Sequence, residues 1–127
     1  MTRIAVINTD PVYLAMMVDV LAECGSVHAY KETTGALETL KREQPDLVIL
    51  DIQMETPDAG WTLLNLLTLD RAMRVIPVIV CSAAIVDLRE HKTWLDEHGI
   101  FILPKPFDVE HLFQKVEQAL ASRKIEP

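Results

Sequence analysis

A chain of 127 residues is the length of one domain, and with half of its residues apolar and a quarter charged it can bury a core, which excludes intrinsic disorder. Nineteen acidic residues against twelve basic ones leave a net charge of −7, so nucleic-acid phosphate and anionic lipid are not attracted at long range and neither is expected as a direct partner. The longest mostly apolar stretch, Val75 to Val86, is broken by Pro77 and Ser82 and falls short of the ~20 residues of a membrane helix. The apolar run at the N-terminus is too short for a secretion signal, and Cys24 and Cys81 stand apart with no His at ligand spacing. Both cysteines are expected as small buried hydrophobes in a reducing cytoplasm.

Short β-branched runs alternate with longer helical patterns five times. Ile4 to Ile7 reads as a first strand, followed by Asp10-Pro11, a cap and a proline suited to a first helical turn. Leu14, Met17, Val18 and Leu21 then form one apolar stripe, ended by Gly25. Ser26 to Tyr30 is the second strand; the second helix, capped by Thr33 or Thr34, runs through Ala36, Leu37 and Leu40 and stops before Pro45. The third strand, Asp46 to Leu50, precedes a helix over Gly60 to Asp70 with Trp61, Leu64 and Leu67 inward. Ile76 to Val80 is the fourth strand, followed by a helix from Ala84 to His98 that closes at Gly99. The fifth strand, Ile100 to Leu103, leads to a last helix from Asp108, with Val109, Leu112, Phe113, Val116 and Leu120 on its apolar stripe. Near-continuous apolar strands with helices between them predict an α/β, doubly wound (βα)5 three-layer sandwich over residues 1–122, with a short tail over 123–127.

Open α/β sheets form their sites outside the carboxyl ends of the strands, where strand order reverses. The first strand ends there in Asn8-Thr9-Asp10, the third in Asp51, the fourth in Cys81-Ser82 and the fifth in Pro104-Lys105-Pro106. Singly, such residues are turn formers, caps or solvated charges. Together, a carboxylate, a hydroxyl and an ammonium converge from three strand ends. A nucleotide or flavin carrier on this sheet needs a phosphate loop after the first strand, and Asn-Thr-Asp-Pro has no glycine. A hydrolase needs a histidine base near Ser82, whereas His28 falls in the second strand, His91 and His98 in the fourth helix and His111 in the fifth.

From about Arg3 to Ala121 the chain resembles the receiver domain of two-component response regulators. The segments that carry the resemblance are Pro45-Asp-Leu-Val-Ile-Leu-Asp51, Pro77-Val-Ile-Val-Cys-Ser82 and Pro104-Lys-Pro-Phe107, in the family's order and spacing. The resemblance implies a flavodoxin-like parallel sheet of order 2-1-3-4-5. It also implies Asp51 as acceptor of a phosphoryl group from a histidine kinase or phosphotransfer protein, Ser82 as hydroxyl donor to the phosphoryl oxygens, and Lys105 as their ammonium partner before a cis Pro106. The chemistry is sound on its own terms. A carboxylate can hold a phosphoryl group as a mixed anhydride, and the spread negative charge in transfer is stabilised by cations and hydrogen-bond donors. Such a chain is a cytoplasmic phosphoacceptor signalling domain rather than an enzyme, with self-catalysed phosphoryl transfer at most.

The family also implies Mg²⁺, held by the phosphoacceptor and an acidic pair at the end of the first strand, and those two positions are Asn8 and Thr9. A unit charge lost at ~4 Å from Mg²⁺ forfeits roughly 8 kcal/mol gross at an effective dielectric near 20, so a site built of Asp51, Asn8 and Thr9 is expected to be weak or absent. Asp10 is expected to cap the first helix. Glu55, standing where the family carries proline in a loop one residue longer, and Asp58 follow Asp51 and can lend negative charge to a cation there, with Glu55 a remote candidate as a ligand. The aromatic residue that the family places three before the lysine is here Ile102, with Phe101 on the opposite face. Two functions follow: a phosphoacceptor receiver acting through protein contacts, or a pseudo-receiver that binds partners without phosphorylation. The resemblance places an output protein or a second copy on the face of helix four, strand five and helix five, where Trp94 is expected to serve binding more than folding. No output domain follows Ala121, so the chain reads as a free-standing receiver or as part of a larger protein.

Overall fold

The computed structural model describes residues 1–123. Among them five strands, β1 (Arg3–Ile7), β2 (Ser26–Tyr30), β3 (Leu47–Asp51), β4 (Val78–Ser82) and β5 (Phe101–Pro104), form one sheet in the order β2-β1-β3-β4-β5, every pair parallel. The helices are α1 (Pro11–Leu21), α2 (Ala36–Glu43), α3 (Ala59–Leu69), α4 (Ile85–Glu90), α5 (Lys92–Glu97) and α6 (Val109–Ala121). Strand alternation divides the core in two. Ile4, Val6, Leu47, Ile49, Ile79, Cys81 and Leu103 pack against α1 and α6 through Leu14, Met17, Leu21, Leu112, Val116 and Ala119. Ala5, Ile7, Val48, Leu50, Val78 and Val80 pack against the other four helices. This is the flavodoxin-like sandwich expected from the sequence, with the order reversing between β1 and β3.

Several local expectations are corrected. The fourth strand begins at Val78 rather than Ile76, because Pro77 has no N–H to give the ladder and contributes only its carbonyl, which accepts from Val48 N. The second helix is not capped by Thr33 or Thr34. Gly35 takes the N-cap with φ +74°, and Thr33 instead gives its N–H and hydroxyl to Glu55. The single fourth helix is two short ones, divided at His91, whose Nδ1 lies 2.9 Å from the Asp87 carbonyl and whose ring stacks on Trp61 of α3 at 3.9 Å. Val109 opens α6 47% exposed rather than on its buried stripe. Cys81 is buried as expected, whereas Cys24 is only half-buried. Of the anticipated tail, Arg123 is tied to Asp46, which also accepts from Arg3 N; residues 124–127 lie outside the described residues.

One close approach fixes the loop that follows β3. A Cβ on Gly60 would stand 2.2 Å from the Ile52 carbonyl oxygen, so the first turn of α3 can lie against that backbone only with glycine there.

Candidate functional site at the strand ends

Asn8, Asp51 and Ser82 are the buried polar residues among those described, and all three sit at the carboxyl ends of strands. Burying a charge is costly unless it is paired and hydrogen-bonded, and Asp51 is both. Its Oδ2 accepts from Lys105 Nζ at 2.6 Å and from Asn8 Nδ2 at 2.9 Å, while its Oδ1 accepts from Gln53 N at 2.9 Å. The three side chains meet because Asn8, Asp51 and Lys105 continue the alternation of Val6, Ile49 and Leu103 on the α1–α6 face. Lys105 is aimed from a cis Lys105–Pro106 bond, as the resemblance implied, with its own N–H on the Ser82 carbonyl at 3.0 Å.

Ser82 is differently placed. It follows Val80 on the opposite alternation, and its Oγ accepts from Ala84 N at 3.0 Å. The structure therefore brings Asp51, Lys105 and Asn8 together and leaves the Ser82 hydroxyl in a turn at the start of the β4–α4 loop. Ile102 packs on the α3 side and Phe101 on the α1–α6 side, so the two do fall on opposite faces.

The residue that sequence reasoning missed is Tyr13. Its ring lies beneath Lys105, with Nζ 4.0 Å from the centroid, and its hydroxyl is buried with no hydrogen-bond partner among the described residues. Burial, joined by the charges of Cys81 and Asp51, pushes the phenol pKa far up, so it stays protonated. Cys81, level with Asp51 on the next strand, is likewise pushed up, to about 12, chiefly by burial. A signal for Tyr13 was present: it stands four residues before Met17 on the buried stripe of α1, and a side chain there overhangs the strand ends. A groove of about 420 Å³ opens beside it, lined by Tyr13, Met16, Ala83, Lys105, Pro106 and Phe107.

The family model for the response regulator receiver domain matches residues 4–117. The chain belongs to the response regulator receiver domain family. Among curated proteins this receiver is 30% identical over 92 residues to the DNA-binding transcriptional regulator NtrC of Proteus hauseri, a match that takes in 72% of this chain and 19% of that protein. Among solved structures it resembles the signal receiver domain of a signal transduction histidine kinase from Syntrophus aciditrophicus, with 26% identity, a TM-score of 0.82 and 100% and 96% of the two chains covered. It also resembles the receiver domain of a sensor histidine kinase from Pseudomonas aeruginosa, described with a magnesium ion coordinated in its active-site cleft, with 18% identity, a TM-score of 0.79 and 94% and 98% coverage. No helix among the described residues is long and apolar enough to cross a membrane.

The donor set of this receiver does not fit Mg²⁺. The ion takes carboxylates, waters and phosphate oxygens, and Asp51 is the one carboxylate at the site among the described residues. Asn8 turns its amide nitrogen, not its oxygen, toward Asp51, because its Oδ1 accepts from Asp10 N at 2.8 Å. Thr9 is exposed and makes no bond to Asp51 among the described residues. Asp10 caps α1, its Oδ1 accepting from Val12 N and Tyr13 N. Glu55 is committed to Thr33; although burial works against it, those bonds hold its carboxyl below the usual range. Asp58 lines a separate groove with Trp61, His91 and Trp94. No group of three or more His, Cys, Asp or Glu placed to hold a metal occurs among the described residues.

Proposed function

We propose that this receiver accepts a phosphoryl group on Asp51 from a histidine kinase or phosphotransfer protein and signals through protein–protein contacts. The observation that carries the reading is the Lys105–Asp51 pair, 2.6 Å apart with side chains 22% and 7% exposed, at the point where sheet order reverses. An ionised carboxylate offers about four lone-pair positions. The two on Oδ2 are taken by Lys105 and Asn8, and one on Oδ1 by Gln53 N. Oδ1 therefore keeps one lone pair and is the attacking atom. The new O–P bond forms as the P–N bond of the phosphohistidine breaks and the imidazole leaves with its electron pair. Lys105 and the Asn8 amide are then at hand for the negative oxygens of the mixed anhydride. Ser82 keeps its proton while accepting from Ala84 N, and a turn about its Cα–Cβ bond makes it a further donor.

Partner contacts are assigned to the face of α4, α5, β5 and α6, where Asp87, Arg89, Glu90 and Lys92 are exposed and Trp94, stacked on His98 at 4.2 Å, is half-buried. A second reading, an interaction module that works without phosphorylation, is favoured by the Asn8 bond to Asp51, which together with Lys105 occupies Oδ2 without any ligand. The test is transfer of label from a phosphorylated histidine kinase, followed by borohydride reduction and peptide mapping. Label on the peptide holding Asp51, lost in Asp51→Asn, supports the first reading; no transfer to a folded receiver from a panel of phosphorylated kinases supports the second.

A further inference from the structure

The mismatch between the donor set and Mg²⁺ has a constructive side, and it rests on Asp51 being the phosphoacceptor. A site of three carboxylates and one lysine, which the resemblance implies for the family, carries a formal charge of −2 until a divalent cation brings it to zero. Here the two replacements, Asn8 and Thr9, remove the same two negative charges, so that Asp51 and Lys105 balance within the chain itself. An anionic phosphoryl donor then meets a neutral pocket rather than a repelling one. We propose that phosphorylation of Asp51 in this receiver proceeds without a divalent cation, the place of the metal being taken by the Asn8 amide and by a Lys105 ammonium pinned between Asp51 and the Tyr13 ring.

The pinning is built from several directions. Lys105 Nζ is held 2.6 Å from Asp51 Oδ2 and 4.0 Å from the centre of the Tyr13 ring, and its backbone is anchored on Ser82. A cation held by an aromatic face and a carboxylate together loses little by ordering when the phosphoryl group arrives, which is the preorganisation that phosphoryl transfer draws on. Asn8 is fixed just as firmly. Its oxygen is spent on Asp10 N, so its NH2 group presents a donor where the family's carboxylate would present a ligand atom. Asp10 and Glu55, the acids next in line to recruit a cation, are both engaged in bonds that hold the backbone of α1 and of the β2–α2 turn.

The test uses the parent chain and acetyl phosphate, the adduct being followed by intact-protein mass spectrometry. The bond made is Asp51 Oδ1–P, the bond broken is P–O of the acyl phosphate, and acetate departs with the electron pair. Initial rates in excess EDTA and in millimolar Mg²⁺ are expected to agree within about twofold. A rate cut tenfold or more by EDTA and restored by Mg²⁺ overturns the inference while leaving Asp51 as the acceptor. No adduct in either condition, on a sample that unfolds cooperatively, removes the acceptor reading and the inference with it. An adduct that persists in Asp51→Asn assigns the chemistry to another residue and overturns both.

Discussion

Asn8→Asp puts a carboxylate back at the end of β1 and so asks what the Asn8 amide contributes. Asn8 Nδ2 lies 2.9 Å from Asp51 Oδ2, and a carboxylate in its place brings two negative charges to about 3.5 Å, a repulsion of about 5 kcal/mol gross at an effective dielectric of 20. Lys105, already 2.6 Å from Asp51, recovers part of this by attracting the new charge from about 5 Å, worth about 3 kcal/mol on the same scale. Taken before rounding, the net loss is about 1.4 kcal/mol, a fall in Tm of about 5 °C for a domain of this size. The sign of the pH dependence follows. Repulsion raises the folded-state pKa of the new carboxyl above its unfolded value, so the destabilisation is complete above the folded pKa and relieved as pH falls toward the unfolded one. Thermal unfolding of parent and variant in EDTA should show the full gap at pH 7 and a smaller one near pH 4.5, and Mg²⁺ at pH 7 should narrow it, since two carboxylates now face each other. A variant as stable as the parent at pH 7 without metal, or a gap that widens on acidification, would refute the reasoning.

Three other outcomes are expected. Tyr13→Leu removes the platform under Lys105 and should slow adduct formation from acetyl phosphate several-fold; Tyr13→Phe, which keeps the ring and deletes a buried hydroxyl without a partner, should recover most of that rate and unfold at an equal or higher temperature. Gly60→Ala drives a methyl to 2.2 Å from the Ile52 carbonyl oxygen, so a loss of about 1–3 kcal/mol in urea unfolding is expected. Asp46 is held below the usual carboxylate range first by Arg3 N and then by Arg123. Its stabilisation is present above the unfolded pKa and lost as pH falls through the folded one, so Asp46→Asn should lose stability at pH 7 and close on the parent as pH drops below about 4.

The parallel sheet was legible because β1, β3 and β4 are apolar at nearly every position, as strands covered on both faces must be, whereas its order came only with the family resemblance. The ends of elements were less so. Apolar character alone counts Ile76 as strand, because it is buried whether or not its backbone joins the ladder. The break at His91 goes with a bond to Asp87 one turn back and with a ring stacking across to Trp61 of α3, and that second contact is not local in sequence. At the site, the positions of Asp51 and Lys105 could be read from strand ends and a proline. What Asn8 does there could not. A replaced carboxylate looks like a loss until the Asp10 N–H fixes which end of the amide faces Asp51. Tyr13 was hidden for a related reason. On a helix stripe a tyrosine reads as core, and its contact with Lys105 comes from an element more than ninety residues further along the chain.

The most direct test of the account is the mass of the intact chain after exposure to a phosphohistidine or acyl phosphate donor, compared with Asp51→Asn treated alike. One phosphoryl adduct is expected on the parent, removed by hydroxylamine as an acyl phosphate must be, and none on the variant. An unmodified parent, folded and exposed to both donors, would contradict it.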